Sequence, residues 1–193
     1  MTKRSVENEM VSVLNARLAQ RERELALLLE MDRIRDQTVD VTGLLTQATD
    51  VLVQALGVDL CFTGLTDAET GEIELKSVSD RMRLLSRVEP GQIHDLLEQA
   101  RGLPETVALA PQASLASLGV THLVAVPLVI QEDRLGAIVL AARDRAFSPD
   151  DMAVVHAVVS QTDSAIVHAR AESRLKQRNL ELGMTQDNKG DLS

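Results

Sequence analysis

Apolar and polar positions over residues 4–36 follow a helical rhythm. No Gly or Pro interrupts the chain between Thr2 and Asp40, and strong helix formers fill the stretch from Arg17 to Glu30. Val11, Leu14, Leu18, Leu25 and Leu28 fall on steps that alternate three and four residues, with Arg21 at the one polar position of the seam. That is a heptad pattern, the mark of a helix that packs along another helix. A second series, Leu27, Met31, Ile34, Thr38, Val41, Leu45, Ala48, Leu52 and Ala55, runs on a different phase. The passage from Leu25 through Leu28 to Met31 takes two successive three-residue steps, a stammer at which a coiled coil overwinds or changes partner. A break near Thr38–Thr42, with Asp40 or Thr42 as cap, divides a signalling rod over residues 1–39 from a domain over 40–171.

Beyond Gly57, placed as a helix-ending glycine, the rhythm shortens to that of strands. Asp59–Thr66 sets Leu60 and Phe62 against Cys61, Thr63 and Leu65 on opposite faces. The turn Asp67–Gly71 leads into Glu72–Ser79, whose Glu72, Glu74 and Lys76 predict a wet face, so the two strands form a hairpin. Gln92–Arg101 predicts a short helix, Glu105–Ala110 a short strand and Gln112–Leu118 one or two helical turns closed by Gly119. His122–Ile130 and Leu135–Arg143 are almost wholly apolar, the pattern of strands covered on both sides. Pro127 within the first requires an edge position, a bulge or a missing ladder bond. Ser148, Pro149, Asp150 and Asp151 start a last helix, with Met152, Val155, Val159, Thr162, Ile166 and Ala169 on one face. The pattern fades after Arg170. Residues 172–193 read as a helical extension followed by a disordered tail from Gly183.

Composition narrows the chemistry. Phe62 and Phe147 are the only aromatic residues and the net charge is −9. Stacking platforms and basic stripes for nucleic acid are therefore lacking. The longest apolar run, Leu123–Ile130, has eight residues, against about 20 for a membrane span. The N-terminus has no signal-peptide core, so a cytoplasmic protein is expected. A lone cysteine, Cys61, excludes an intramolecular disulfide and a CxxC metal site. His94, His122, His156 and His168 have no close metal-ligand spacing, and the last two stand about 18 Å apart along a helix. No metal and no cofactor is expected.

Three segments carry a family resemblance. The run Val124-Ala125-Val126-Pro127-Leu128-Val129, the turn Gln131–Arg134 and Leu135-Gly136-Ala137-Ile138-Val139-Leu140 resemble the paired strands of the GAF family. Ala146-Phe147-Ser148-Pro149-Asp150-Asp151 resembles that family's step into its last helix, and Leu44–Leu65 its opening helix and first strand. The resemblance implies an α/β (α+β) fold related to PAS domains. It implies a central antiparallel sheet of five or six strands with the N- and C-terminal helices on one face. The variable middle would cover the other face and form a small-molecule pocket. On that basis Cys61, Thr63, Arg81, Arg83, His94, Leu109, His122 and Val124 are candidate ligand contacts.

Departures from the family patterns matter too. Arg143 and Asp144 stand where cyclic-nucleotide-binding members often carry Asn-Lys. Cys61 lies in the first strand, away from the sites of covalent bilin attachment. The family's free-methionine-sulfoxide reductases work through several cysteines, and this chain has one. The Arg81–Arg87 stretch fits a solvated loop with charged stems over apolar surface, or anion recognition at a pocket mouth.

The expected function is non-catalytic and regulatory. Val11, Leu14, Leu18, Leu25, Leu28 and Met31 would join two copies, in parallel by preference, because an amphipathic rod standing alone leaves its seam in water. The homodimer would relay binding of an unidentified small molecule or a protein to a downstream signalling protein. A ligand-free adaptor dimer is the alternative, and an enzyme the third reading.

Overall fold

The computed structural model describes residues 41–190 and, before them, residues 13–15, 17–19, 21–22, 25–26 and 29, all helical. Val11, Leu28, Met31 and residues 38–40 of the expected break at Thr38–Thr42 lie outside the described residues, as do Asp191–Ser193, whereas Thr42, expected as an alternative cap, is already helical. In chain order the elements are α1 (Val41–Leu56), β1 (Leu60–Thr66), β2 (Ile73–Asp80), a 3-10 turn (Leu85–Arg87), α2 (Pro90–Gly102), β3 (Val107–Leu109), α3 (Ala113–Ser117), β4 (His122–Ile130), β5 (Asp133–Ala142) and α4 (Pro149–Gly190).

The five strands form one antiparallel sheet in the order β2-β1-β5-β4-β3. β5 lies at its centre, and Leu135–Ala142 is buried along its whole length. The period-two alternation of β1 assigns its faces as its sequence predicts. Cys61 and Leu65 join a cluster with Leu45, Leu52 and Val53 of α1 and Val155, Val158 and Ile166 of α4. Leu60 and Phe62 join a second cluster under Leu96, Leu97 and Ala100 of α2, with Leu84 and Leu85 at the 3-10 turn and Leu115 of α3. The molecule is thus three layers deep, with helices on both faces of the sheet.

Local details follow from residue chemistry. Gly57 ends α1 at φ +63°, a conformation that costs residues with a Cβ about 1 kcal/mol. The buried stripe of α1 is Leu44, Leu45, Ala48, Thr49, Leu52, Val53 and Leu56. Ala55, expected inside, is exposed, because a straight helix of 3.6 residues per turn drifts off a strict 3.5 repeat. Buried Thr49 donates to the Leu45 carbonyl and meets Ser77 Oγ at 2.7 Å, which ties α1 to β2 through a satisfied polar pair. Pro127 lies beyond the last β4 residue that β3 pairs, Ala125, so it interrupts no ladder on that side.

Ser148 and Asp151 form a reciprocal capping box on α4. The Asp151 N–H donates to Ser148 Oγ at 3.2 Å, and the Ser148 N–H to Asp151 Oδ2 at 2.7 Å; such a cap contributes about 1 kcal/mol. Burial pushes the Asp151 carboxyl up, but the Arg145 guanidinium and the Ser148 donors outweigh it and hold the group below the usual range. α4 continues to Gly190, through residues 183–190 that their polarity predicts to be disordered. A single Gly183 costs a helix only about 1 kcal/mol, and no proline stops it.

Candidate functional site

The side chains expected to line a pocket do not converge. Cys61, Thr63 and Val124 face α1 and α4, whereas Leu109 packs against the cluster on the opposite face. Burial, with a smaller contribution from Asp50, pushes the Cys61 thiol far up, so it behaves as a small hydrophobe and not as a thiolate. The His94 Nδ1–H donates to the Ile73 carbonyl at 3.2 Å and pins α2 to β2. His122 is exposed at the start of β4, with Nδ1 2.8 Å from Thr121 Oγ1.

Arg81 and Arg83 are exposed on the loop that follows β2. The Asp80 carboxylate shapes this loop by accepting the N–H groups of Met82, Leu84 and Leu85 at 2.8–3.2 Å, and Arg83 sits at φ +54°.

The sheet face on which the family resemblance implies a pocket is filled by side chains. Leu97 Cδ1 stands 2.8 Å from the point a Cβ on Gly64 would take, and Phe62, Leu60, Leu96 and Leu97 are at most 2% exposed. Two arginines absent from the sequence-based list hold α2 down. Arg134 Nη1 donates to the Arg101 and Leu103 carbonyls at the end of α2, at 2.7 and 2.5 Å. Arg101 reaches Thr66 Oγ1 and the Gly71 carbonyl, at 3.1 and 3.3 Å. Sequence spacing carries no signal for such long-range staples.

An open groove of about 410 Å³ lies instead on α4, beside the end of β4. Val129, Ile130, Val159 and Val167 line it together with His156, Ser160, Asp163 and Ser164. Asp163 Oδ1 is buried and has no hydrogen-bond partner among the described residues. Burial pushes its carboxyl up to about 7. The signal for this residue was present in the sequence: Asp163 is the only Asp, Glu, Lys or Arg between Met152 and Val167. Among the described residues no group of three His, Cys, Asp or Glu side chains could hold a metal ion, and no helix is long and apolar enough to cross a membrane.

The raised Asp163 value has a stability consequence. The folded chain binds this proton more tightly than the unfolded one, so the contribution is full below about pH 4 and is lost as pH rises through about 7. Asp163→Asn, which mimics the neutral acid, should therefore stabilise the dilute single chain at pH 8 by about 1–2 kcal/mol, after discounting for solvent screening. The gain should vanish at pH 4. Thermal melts at the two pH values check this, and equal gains at both would refute it.

The comparisons with known proteins agree with this architecture. Residues 38–167 match the GAF domain family, and the chain belongs to that family. The GAF domain of a phosphoenolpyruvate-protein phosphotransferase from Coxiella burnetii superposes with a TM-score of 0.59 at 17% identity, over 79% of this chain and 98% of that one. The phycoerythrobilin-bound GAF domain of a cyanobacterial phytochrome gives 0.59 at 17%, over 78% and 97%. The free methionine-R-sulfoxide reductase of Neisseria meningitidis, in complex with its substrate, gives 0.60 at 15%, over 77% and 91%. At these identities the likeness concerns the fold alone. No curated protein matches the sequence.

Proposed function

We propose that this GAF domain is a non-catalytic regulatory module that dimerises through its flanking helices and relays a binding event to another protein. The observation that carries the reading is the leucine ridge. Leu14, Leu18 and Leu25 are 58–60% exposed on helical backbone, at the spacing of a helix-pairing seam. Leaving such a ridge in water is unfavourable, and a second helix removes the cost. Within the fold, α1 shares its buried cluster with α4. A change in helix pairing therefore acts on the core itself, provided the input binds one pairing state better than the other.

Sedimentation equilibrium tests this directly. The full chain should dimerise, and Leu18→Glu should weaken the dimer by about tenfold or more while leaving the circular dichroism melt of the domain cooperative. A chain that stays monomeric at every concentration sinks the proposal.

The filled second face favours a ligand-free adaptor form of the same module. Phe62 and Leu97 occupy the space where the resemblance implies a pocket, Arg81 and Arg83 are exposed on the loop after β2, and His94 is engaged by the Ile73 carbonyl. A thermal-shift screen against nucleotides and small metabolites separates the two forms: saturable stabilisation supports a sensor, and its absence across the screen supports the adaptor.

A further inference from the structure

Strand β2 is an edge of the sheet, paired with β1 alone, so the backbone groups on its outer side offer a second ladder. Exposed apolar surface gathers on the same element. Among the described side chains from Val41 onward, the large apolar ones that stand exposed are Leu75, Val78, Met82 and Val167, and the first three lie on β2 and the loop after it. Leu75 and Val78 share one face although three residues separate them. Leu75 pairs with Gly64 and Val78 with Phe62, residues that face α2, and the bulge at Lys76 supplies the odd step.

Charge is divided between the two ends of this edge. Glu69 and Glu72 stand exposed before it, and Arg81 and Arg83 after it. None of the four is in an ion pair among the described residues. The ladder to β1 runs on through Glu72 and Arg81. The Asp67 N–H donates to the Glu72 carbonyl at 2.8 Å, and the Arg81 N–H to the Asp59 carbonyl at 3.1 Å. These two residues therefore spend their backbone groups inward, and by alternation Ile73, Leu75, Val78 and Asp80 turn theirs outward.

We propose that β2 pairs antiparallel with β2 of a second copy of this chain, about a two-fold axis between Lys76 and Ser77. In that register Leu75 lies opposite the partner's Val78, Glu72 opposite the partner's Arg81 and Ile73 opposite the partner's Asp80. Residues that bond outward then meet residues that bond outward, and the two members of each pair lie on one face of the joined sheet. The axis repeats every contact, so the edge is complementary to itself: acid meets base at both ends and apolar side chains meet between them. A bulge and a lysine commonly guard an open edge. Here Lys76 is held by Glu74 at 2.5 Å, which balances the two ammonium groups near the axis. The contact goes beyond the helix pairing proposed above because it uses a different surface. Helix-joined dimers would link edge to edge into tetramers or longer chains.

Sedimentation equilibrium of the full chain carrying Leu18→Glu isolates this contact. That chain should still associate weakly, and adding Glu72→Arg or Arg81→Glu should weaken the association by about tenfold or more. An equimolar mixture of the two charge variants should recover to within about threefold, because the mixed pair restores opposite charges in both contacts. A Leu18→Glu chain that stays monomeric up to about 1 mM overturns the proposal. Charge variants without effect, or a mixture that does not recover, overturn it too.

A disulfide trap gives a second readout. Leu75→Cys mixed with Val78→Cys should crosslink under mild oxidation faster than either variant alone, since directly opposed residues on paired strands lie within disulfide reach. Equal rates would overturn the register and the proposal with it. The outcomes stay separate from those of the helix reading: if Leu18→Glu leaves association unchanged while the charge variants abolish it, helix pairing falls and the β2 contact stands.

Discussion

Gly136→Ala is expected to cost about 3–5 kcal/mol of folding stability, on the order of 10 °C in melting temperature. Gly136 lies on the central strand, paired with Leu65 of β1 and Leu128 of β4. A Cβ at this position would stand 2.0 Å from the Gly64 carbonyl oxygen. Far closer than van der Waals contact, that atom belongs to the backbone and cannot rotate away. β1 and β5 would have to separate, and the ladder between Thr63 and Leu65 on one strand and Gly136 and Ile138 on the other would be strained or lost. Urea denaturation of the two proteins measures the difference. A loss below about 1 kcal/mol would mean that β1 and β5 leave room for a methyl group at this position.

The second large effect is expected at Phe62→Ala, also about 3–5 kcal/mol. Phe62 is fully buried among Leu60, Leu97 and Val139 in the cluster beneath α2. In a chain with only two aromatic residues, no other aromatic ring on that face could swing in to refill the space. The cavity should be apolar and dry, and a small apolar solute such as benzene should restore part of the lost melting temperature. The same solute should leave the unsubstituted domain unchanged. Equal stabilisation of both proteins would show that a usable pocket already exists there, and the ligand-sensing form of the module would gain accordingly.

Much of this architecture was legible in the sequence, for reasons particular residues make plain. The alternation of Leu60 and Phe62 with Cys61 and Leu65 named the two faces of β1, because strand geometry has only one period. Ser148, Pro149 and the acids Asp150 and Asp151 announced the start of α4, because helix-start signals are local. Paired apolar runs around the expected turn Gln131–Arg134 gave the β4–β5 hairpin, which turns more tightly because β5 begins at Asp133. Glycine at position 136 matched the family pattern, but its reason, the carbonyl of Gly64 on the neighbouring strand, exists only once β1 and β5 are side by side.

The candidate site was less legible. A pocket inferred from a family depends on whether the middle region stands off the sheet, and no spacing rule shows Leu97 descending onto Gly64. Arg101 and Arg134 hold α2 in place across more than 30 residues of chain, beyond the reach of any local pattern. Asp163 was passed over among many scattered carboxylates. Its isolation in an uncharged stretch was visible in the sequence, but its burial depends on Val129 and Ile130 arriving from β4.

Cys61 has a practical consequence. A lone thiol at 0% exposure on β1 leaves the folded chain silent to thiol reagents, and any modification must wait for the sheet to part from α1 and α4. The rate of labelling of the unaltered protein is then a clock for opening of its core, and cysteines introduced elsewhere for distance measurements would react against a blank background.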